Sequence, residues 1–286
     1  MMNRNKKDNE VYILGSESGN NGKKFFNKGL LIFLCVLFIL ISAILFFVLN
    51  QKEQTPEYYF EPEQSAQQST PVATRDNIEK IEDLPYTEVF EENTSDLPLM
   101  IYVPRNATMT LMVGMPDKTD TSIVFAAMAA DIRKDNMQIV GDFVLSGKQL
   151  ARGTAKMGYA AITDNNVTVG VGKTTPLLQQ AIDNNGYFFR QYPLVANGEL
   201  IENKLKNKSI RRALAVRNGT VIIAESKNRI SFHDFSQALI DVGISDAIYL
   251  VGGDAFGWYH DNNHVRHELG TELSDIPENI SYIIWR

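Results

Sequence analysis

Thiols are nearly absent: the 286-residue chain holds one cysteine, Cys35, and only four histidines. That scarcity excludes a disulfide framework and a zinc-finger scaffold. Cys35 lies in the most apolar segment, so the rest of the chain is indifferent to the redox state of its compartment. An excess of positive charge is also missing. Lys and Arg number 28 against 34 Asp and Glu, a net charge of −6, which argues against a protein built to neutralise a nucleic-acid backbone. No internal repeat is visible, which excludes a solenoid or propeller. Apolar residues are plentiful at 44 %, ample for one domain with a core.

Long apolar runs are confined to one place. Residues 29–49 read GLLIFLCVLFILISAILFFVL without a charge, and about 20 such residues cross the hydrocarbon of a bilayer. A cleaved signal peptide has a shorter core and a small-residue cleavage site; here NQKEQTPEYYF follows instead. The expectation is an uncleaved, single-pass signal anchor. Arg4, Lys6, Lys7, Lys23, Lys24 and Lys28 precede it, while Lys52 alone separates it from Arg75. Positive charge stays inside, so residues 1–28 read as a cytoplasmic tail and the C-terminal part as extracytoplasmic, with a bacterial inner membrane and periplasm as the expected setting. Residues 50–97, with QSAQQSTPVAT at their centre, have the composition of a flexible linker. Within it, Ile78–Phe90 has apolar spacing suited to docking on the domain that residues 98–286 form.

Strand signals dominate that domain. Leu99–Val103, Thr108–Val113, Ser122–Ala130 and Gln138–Leu145 are short apolar or β-branched runs separated by Pro, Asp, Lys and Asn. Gly158–Thr163 and Val167–Val171 flank Asp164-Asn165-Asn166, and Arg212–Arg217 and Thr220–Glu225 flank Asn218-Gly219, both hairpin signals. Thr175–Asn185 reads as a helix with Pro176 in its first turn. Ser231–Val242 is the clearest helix, with Ser231 as cap, Asp234 three residues on, Phe235, Leu239 and Val242 on one face, and Gly243 as terminator. Ala247–Val251 is a short apolar strand reached through that helix, which points to a covered sheet. The expected fold is α/β (α+β): a single mixed-sheet domain with packed helices.

Several clusters can carry chemistry. Arg211 and Arg212 precede an apolar strand; a guanidinium fork matches two phosphate oxygens and stays charged. Strand residues alternate in direction, so one of the pair enters a pocket, and Arg212 is the choice. Both arginines being structurally paired is the plainer alternative. Arg190 and Tyr192 stand in Phe188-Phe189-Arg190-Gln191-Tyr192 and can stack on a sugar or support a phosphate, although such a run also fills cores. Asp142 after Gly141 is either a general acid or a turn residue. His233 begins a helix, where a proton donor and an anion can meet, or it lies on the surface. Gly252 and Gly253 at a strand end let backbone N–H groups approach a phosphate, or make a tight turn. Asp254 follows them as a candidate acid. His260, His264 and His267 with Asp261 read as a polar loop rather than a metal site.

The order of these features resembles the phosphodiester glycosidase family over roughly Met100 to the C-terminus, most closely its membrane-anchored bacterial members. The features are the aromatic cluster with Arg190, the Arg211-Arg212 strand, the amphipathic helix, and the apolar strand ending Gly252-Gly253-Asp254. The resemblance implies hydrolysis of the bond between a sugar's anomeric carbon and a phosphodiester, with no cofactor. Substrate binding would fall to Arg190, Tyr192, Arg211, Arg212, Gly252 and Gly253, and catalysis to Asp142, His233 and Asp254. A sugar-phosphate or glycan of the cell envelope is the implied ligand. Val251 stands where the family carries an acid, so the alternative is a degenerate glycan- or sugar-phosphate-binding module of the same fold. A structural protein with an aromatic docking surface is a third reading.

Overall fold

The computed structural model describes residues 84–94, 97–205, 207–253, 255–272, 274 and 276–286. The expected tail, membrane span and most of the linker, together with Asp254, lie outside the described residues. Among the described residues no helix is long and apolar enough to cross a membrane.

Seventeen strands and two helices form three sheets among the described residues. The first runs, in spatial order, β1 (Tyr86–Thr94), β2 (Leu97–Arg105), β13 (Thr220–Ser226), β12 (Arg212–Arg217), β14 (Ile244–Leu250), β10 (Pro193–Ala196) and β11 (Glu199–Leu200). The second runs β16 (Arg266–Leu269), β15 (Gly257–His260), β4 (Phe125–Met128), β17 (Ser281–Trp285) and β3 (Met109–Val113). The third runs β6 (Lys148–Ala151), β5 (Phe143–Leu145), β9 (Tyr187–Gln191), β7 (Gly158–Thr163) and β8 (Asn166–Val171). The helices are α1 (Pro176–Asp183) and α2 (Phe232–Asp241).

Every described strand pairing is antiparallel. This corrects the expectation of one mixed α/β sheet: the domain is mostly β, in several sheets. The misleading feature was β14, whose apolar run is buried on both faces as a parallel strand would be. Its burial has another cause. The β13–α2–β14 segment does bring two parallel strands into one sheet, but β12 lies between them and pairs antiparallel with each. One face of that sheet is covered by α2, the other by the remaining sheets.

Local signals set most of the elements. Asp164 and Asn165 have φ of 51° and 62°, and Asn218 and Gly219 have 50° and 75°. Positive φ at both turn positions is what a two-residue hairpin with native strand twist requires. Ser231 Oγ accepts the Asp234 N–H at 3.1 Å and caps α2. The helix buries Phe232, Phe235, Ala238 and Leu239 against Ala213, Ala215, Ala224 and Ala247 of the first sheet. Small residues on the strands leave room for the two phenylalanines. The opposite face of that sheet, with Tyr102, Leu214, Ile223, Ile248 and Leu250, joins the main core with Phe125, Ile283 and Trp285.

The folded unit also takes in residues placed in the expected linker. β1 pairs with β2 along its whole length, and Thr87 Oγ1, buried, donates to Val124 O at 2.6 Å. Apolar positions in this stretch thus belong to an edge strand as far as Thr94.

Candidate functional site

Arg211 and Arg212 enter β12 with their side chains on opposite faces, as alternation demands. Arg211 turns toward α2. Its guanidinium lies 4.1 Å from the centre of the Phe232 ring and donates to Ile230 O at 3.3 Å and Asn207 O at 2.6 Å. It is fully buried and ties the 207–211 segment to the start of the helix, a structural task rather than the substrate contact expected of it. Arg212 turns the other way and is 0 % exposed. Its Nε donates to Glu225 Oε2 at 2.5 Å, and Nη1 donates to Ala255 O at 3.3 Å. Nη2 stands 2.5 Å from the same Glu225 oxygen but off the hydrogen-bond direction, so it makes a charge contact and no hydrogen bond. A buried N–H without an acceptor costs about 1–3 kcal/mol. Glu225, with a side chain 14 % exposed, is the functional candidate that residue-by-residue inspection missed. The Asn218-Gly219 turn pairs Arg217 with Thr220 and carries Arg212 opposite Glu225, so the hairpin register was the signal that could have found it.

Beside this pair, β14 ends and the chain crosses to β15 in the second sheet. Gly253 has φ +65°, a conformation that disfavours a side chain. A Cβ there would lie 2.9 Å from Ser209 Oγ, and one at Gly252 would lie 3.0 Å from Arg212 N. Ala255 N donates to Gly252 O at 3.2 Å and closes a tight turn. The two glycines therefore let the turn lie directly against the β12 backbone. Gly252 N is occupied, donating to Tyr249 Oη at 3.3 Å. Val251 is buried in the apolar cluster with Phe256, Trp258 and Tyr282.

Aromatic rings from both sheets surround the crossing. Tyr102 packs on Phe125 at 5.6 Å and on Tyr259 at 5.3 Å, and Tyr259 stacks on His267 at 4.8 Å. Burial first, then the Glu225 carboxylate, push the Tyr102 hydroxyl well above its ordinary pKa, with Arg212 opposing. The Tyr282 hydroxyl is raised by burial, then by Glu272, again with Arg212 opposing. Both phenols stay neutral donors at physiological pH.

Two further buried charge pairs lie on the third sheet and its borders. Arg190 donates from Nε to Asp142 Oδ2 at 2.7 Å, from Nη1 to Gly172 O at 2.9 Å and from Nη2 to Lys173 O at 2.9 Å. Asp142 Oδ1 accepts Gly153 N at 3.0 Å. The expected substrate-binding arginine and the expected general acid thus meet one another, with their polar atoms engaged by protein. Lys156, which the sequence did not single out, is buried and paired with Asp131; it also donates to Gln191 Oε1 at 3.0 Å and lies 4.1 Å from the Tyr192 ring centre. Tyr192 is half-buried, and its carbonyl accepts Tyr249 N. It supports Lys156 and the approach of β14 to the Gly-Gly turn.

His233 is not brought to this site. Its ring is exposed on the outer end of α2, bonded to Glu202 at 2.8 Å, on the sheet face opposite Arg212. The remaining histidines belong to a hairpin, a firmer frame than the loop expected from composition. Asp261 Oδ1 accepts Asn263 N at 2.9 Å and Val265 N at 3.0 Å, which shapes the β15–β16 connection. His267 Nε2 lies 2.9 Å from Asp261 Oδ2, and His260 Nδ1 lies 2.7 Å from Ile123 O.

This architecture has known counterparts. The zebrafish N-acetylglucosamine-1-phosphodiester alpha-N-acetylglucosaminidase catalytic domain, auto-inhibited by pro-peptide, superposes with a TM-score of 0.53 at 12 % identity, over 71 % of this chain and 84 % of that one. A hypothetical protein from Synechocystis superposes with a TM-score of 0.51 at 13 % identity, over 70 % of this chain and 61 % of that one. At such identities the likeness is one of fold. No curated protein sequence matches the chain. The phosphodiester glycosidase family model matches residues 122–280, a span that runs from before β4 to the threshold of β17 and includes both the Arg212–Glu225 hairpin and the Gly252–Gly253 crossing. With more than half of its length so matched and its fold shared, this chain belongs to the phosphodiester glycosidase family.

Proposed function

We propose that the domain hydrolyses glycosyl phosphodiester bonds at the crossing from β14 to β15. The observation that carries this reading is the Arg212 guanidinium, buried beside Glu225, whose Nη2 contacts that carboxylate by charge but lacks a hydrogen-bond acceptor. A phosphodiester oxygen supplies that acceptor as a charge-assisted hydrogen bond. Proton transfer to the departing sugar or phosphate oxygen needs a carboxyl within reach. Asp254, next in the chain after Gly253, is the candidate acid, and Glu225, held as a carboxylate by Arg212, is a candidate base for the attacking water. Asp142 is engaged by Arg190 and serves the fold. The zebrafish relative, named for action on an N-acetylglucosamine phosphodiester, supports a sugar-phosphate as substrate.

The test is free-sugar release from a panel of sugar phosphodiesters and nucleotide sugars, with Arg212→Ala alongside. Release that disappears in the variant supports hydrolysis at this site; release that survives it places the chemistry elsewhere. A second reading, a binding module without turnover, is favoured by Val251, which is buried in apolar surroundings where the family resemblance implies an acid. Saturable binding that Arg212→Ala weakens, without release, selects that reading.

The uncharged run at residues 29–49, with basic residues before it, supports a single-pass anchor that holds the domain outside the cytoplasm near envelope glycans. Protection of the C-terminal domain from protease in inside-out vesicles, lost on permeabilisation, is the expected result; digestion of intact inside-out vesicles would refute this orientation.

A further inference from the structure

α2 packs on the β10, β11 and β14 side of the first sheet. Beyond the helix, a groove of about 250 Å³ opens on the same face, over β1, β2, β13 and the end of β12. Ile101, Val103 and Ile222 line its floor, while their chain neighbours Tyr102 and Ile223 enter the main core. Strand alternation therefore puts the groove on the face opposite Arg212 and Glu225. Phe90, the cross-strand partner of Ile101, forms one side of it and is 36 % exposed. An exposed ring beside a concave apolar floor, with polar groups converging on it, is the make-up of a small-molecule site.

The rim decides what fits. Arg105 donates to Glu88 Oε2 from Nε at 3.0 Å and from Nη2 at 2.7 Å. Arg217 Nη1 donates to Glu92 Oε1 at 2.7 Å. Each cation is matched by a carboxylate, so these pairs offer no net charge to an anion or a cation. A purely apolar ligand would strip water from both pairs and return no hydrogen bond. A protein partner needs roughly 800 Å² on each side and a contact centre poor in charge, whereas two ion pairs border this groove. A neutral polyol suits all of it. Carboxylate oxygens accept its hydroxyl protons, and guanidinium N–H groups donate to its oxygens. Asn218 and Thr220, set at the end of the groove by the Asn218-Gly219 turn, add an amide and a hydroxyl.

The geometry points to a carbohydrate site separate from the chemistry: the groove takes one uncharged sugar ring of a glycan, with Phe90 as its platform. The C–H face of the ring lies on the phenyl group and the aliphatic floor. At about 250 Å³ the groove is smaller than the ~300–1,000 Å³ of drug-sized ligand pockets, which suits a single ring. A glycan strand held here is kept at high local concentration near the domain that cleaves it. The site does not depend on the reading of Arg212, because the two lie on opposite faces of the sheet.

The experiment titrates the full-length protein with the methyl glycosides of glucose, galactose, mannose and N-acetylglucosamine. Wild type, Phe90→Ala, Phe90→Tyr and Arg212→Ala are compared, with urea midpoints as the check on folding. Wild type is expected to bind at least one glycoside saturably, with a Kd on the order of 1 mM. Phe90→Ala is expected to weaken that binding about tenfold and to leave sugar release from phosphodiesters unchanged. Phe90→Tyr keeps the ring and Arg212→Ala leaves the groove intact, so both are expected to bind as wild type does. Binding that Phe90→Ala leaves undiminished overturns the inference. If Arg212→Ala abolishes that same binding, the sugar sits at the β14–β15 crossing and the Arg212 reading stands. Failure of wild type to bind any of the four also overturns it, and a dimer in sedimentation that Phe90→Ala dissolves would then name a second copy as the occupant.

Discussion

Arg212 and Glu225 face each other across the β12–β13 hairpin, with Nε 2.5 Å from Oε2 and both residues buried or nearly so. The carboxylate thus compensates a cation that no water reaches, with one oxygen set against both Nε and Nη2, while Nη1 donates to Ala255 O.

Glu225→Gln removes the compensating charge and strands the guanidinium. Breaking a buried pair from one side costs about 3–5 kcal/mol, and the partial exposure of Glu225 places the expected loss at the lower end. Urea midpoints of the two proteins measure it. A loss below about 1 kcal/mol would mean that the pair behaves as a surface salt bridge does.

Arg190→Lys keeps the charge but not the fork. One ammonium cannot replace Nε, Nη1 and Nη2 in reaching Asp142, Gly172 O and Lys173 O together. The expected outcome is a destabilisation of about 2–4 kcal/mol, with the residual folded protein binding phosphodiester as wild type does. A variant of full stability with lost binding would instead place Arg190 in contact with substrate.

Gly253→Ala meets two obstacles, the φ of +65° and the Ser209 hydroxyl 2.9 Å from the new Cβ. The left-handed conformation alone costs about 1–2 kcal/mol. Adding Ser209→Ala relieves the contact and leaves the backbone strain, so the double variant should recover part of the loss. Full recovery would show that strain plays no part; none would show that the contact does not matter.

Alkaline pH tests the surroundings of Tyr102. Its folded pKa is raised, by burial and then by Glu225, whereas the unfolded chain titrates near the ordinary value of about 10. The stability so conferred is whole below that value and lost as pH rises through the folded pKa. Tyr102→Phe should therefore lose less stability than wild type between about pH 9 and pH 11, read from urea midpoints. Parallel losses would mean that Tyr102 ionises freely in the folded protein.

Much of the site was written in short-range signals. The Asn218-Gly219 turn sets the Arg212–Glu225 register, alternation separates Arg211 from Arg212, and Gly252-Gly253 marks the close approach of two backbones. The misreadings concern groups whose partners are remote in the chain. Arg190 looked free for substrate because Asp142 lies far from it in sequence, and Lys156 gave no signal because its partner Asp131 lies beyond an intervening strand pair. His233 was read from its helix position alone, and which face of the sheet that helix covers is invisible in its own sequence.

By itself, then, the sequence determined the turns, the helix cap, the strand faces and the family, because each depends on residue types within a few positions of one another. Only the tertiary structure decided that the strands pair antiparallel in three sheets, that Arg190 is held by Asp142, and that Lys156 is held by Asp131. Those outcomes depend on burying whole faces at once and on compensating each buried charge with the partner that the packing brings to it, and neither condition can be read from a local pattern.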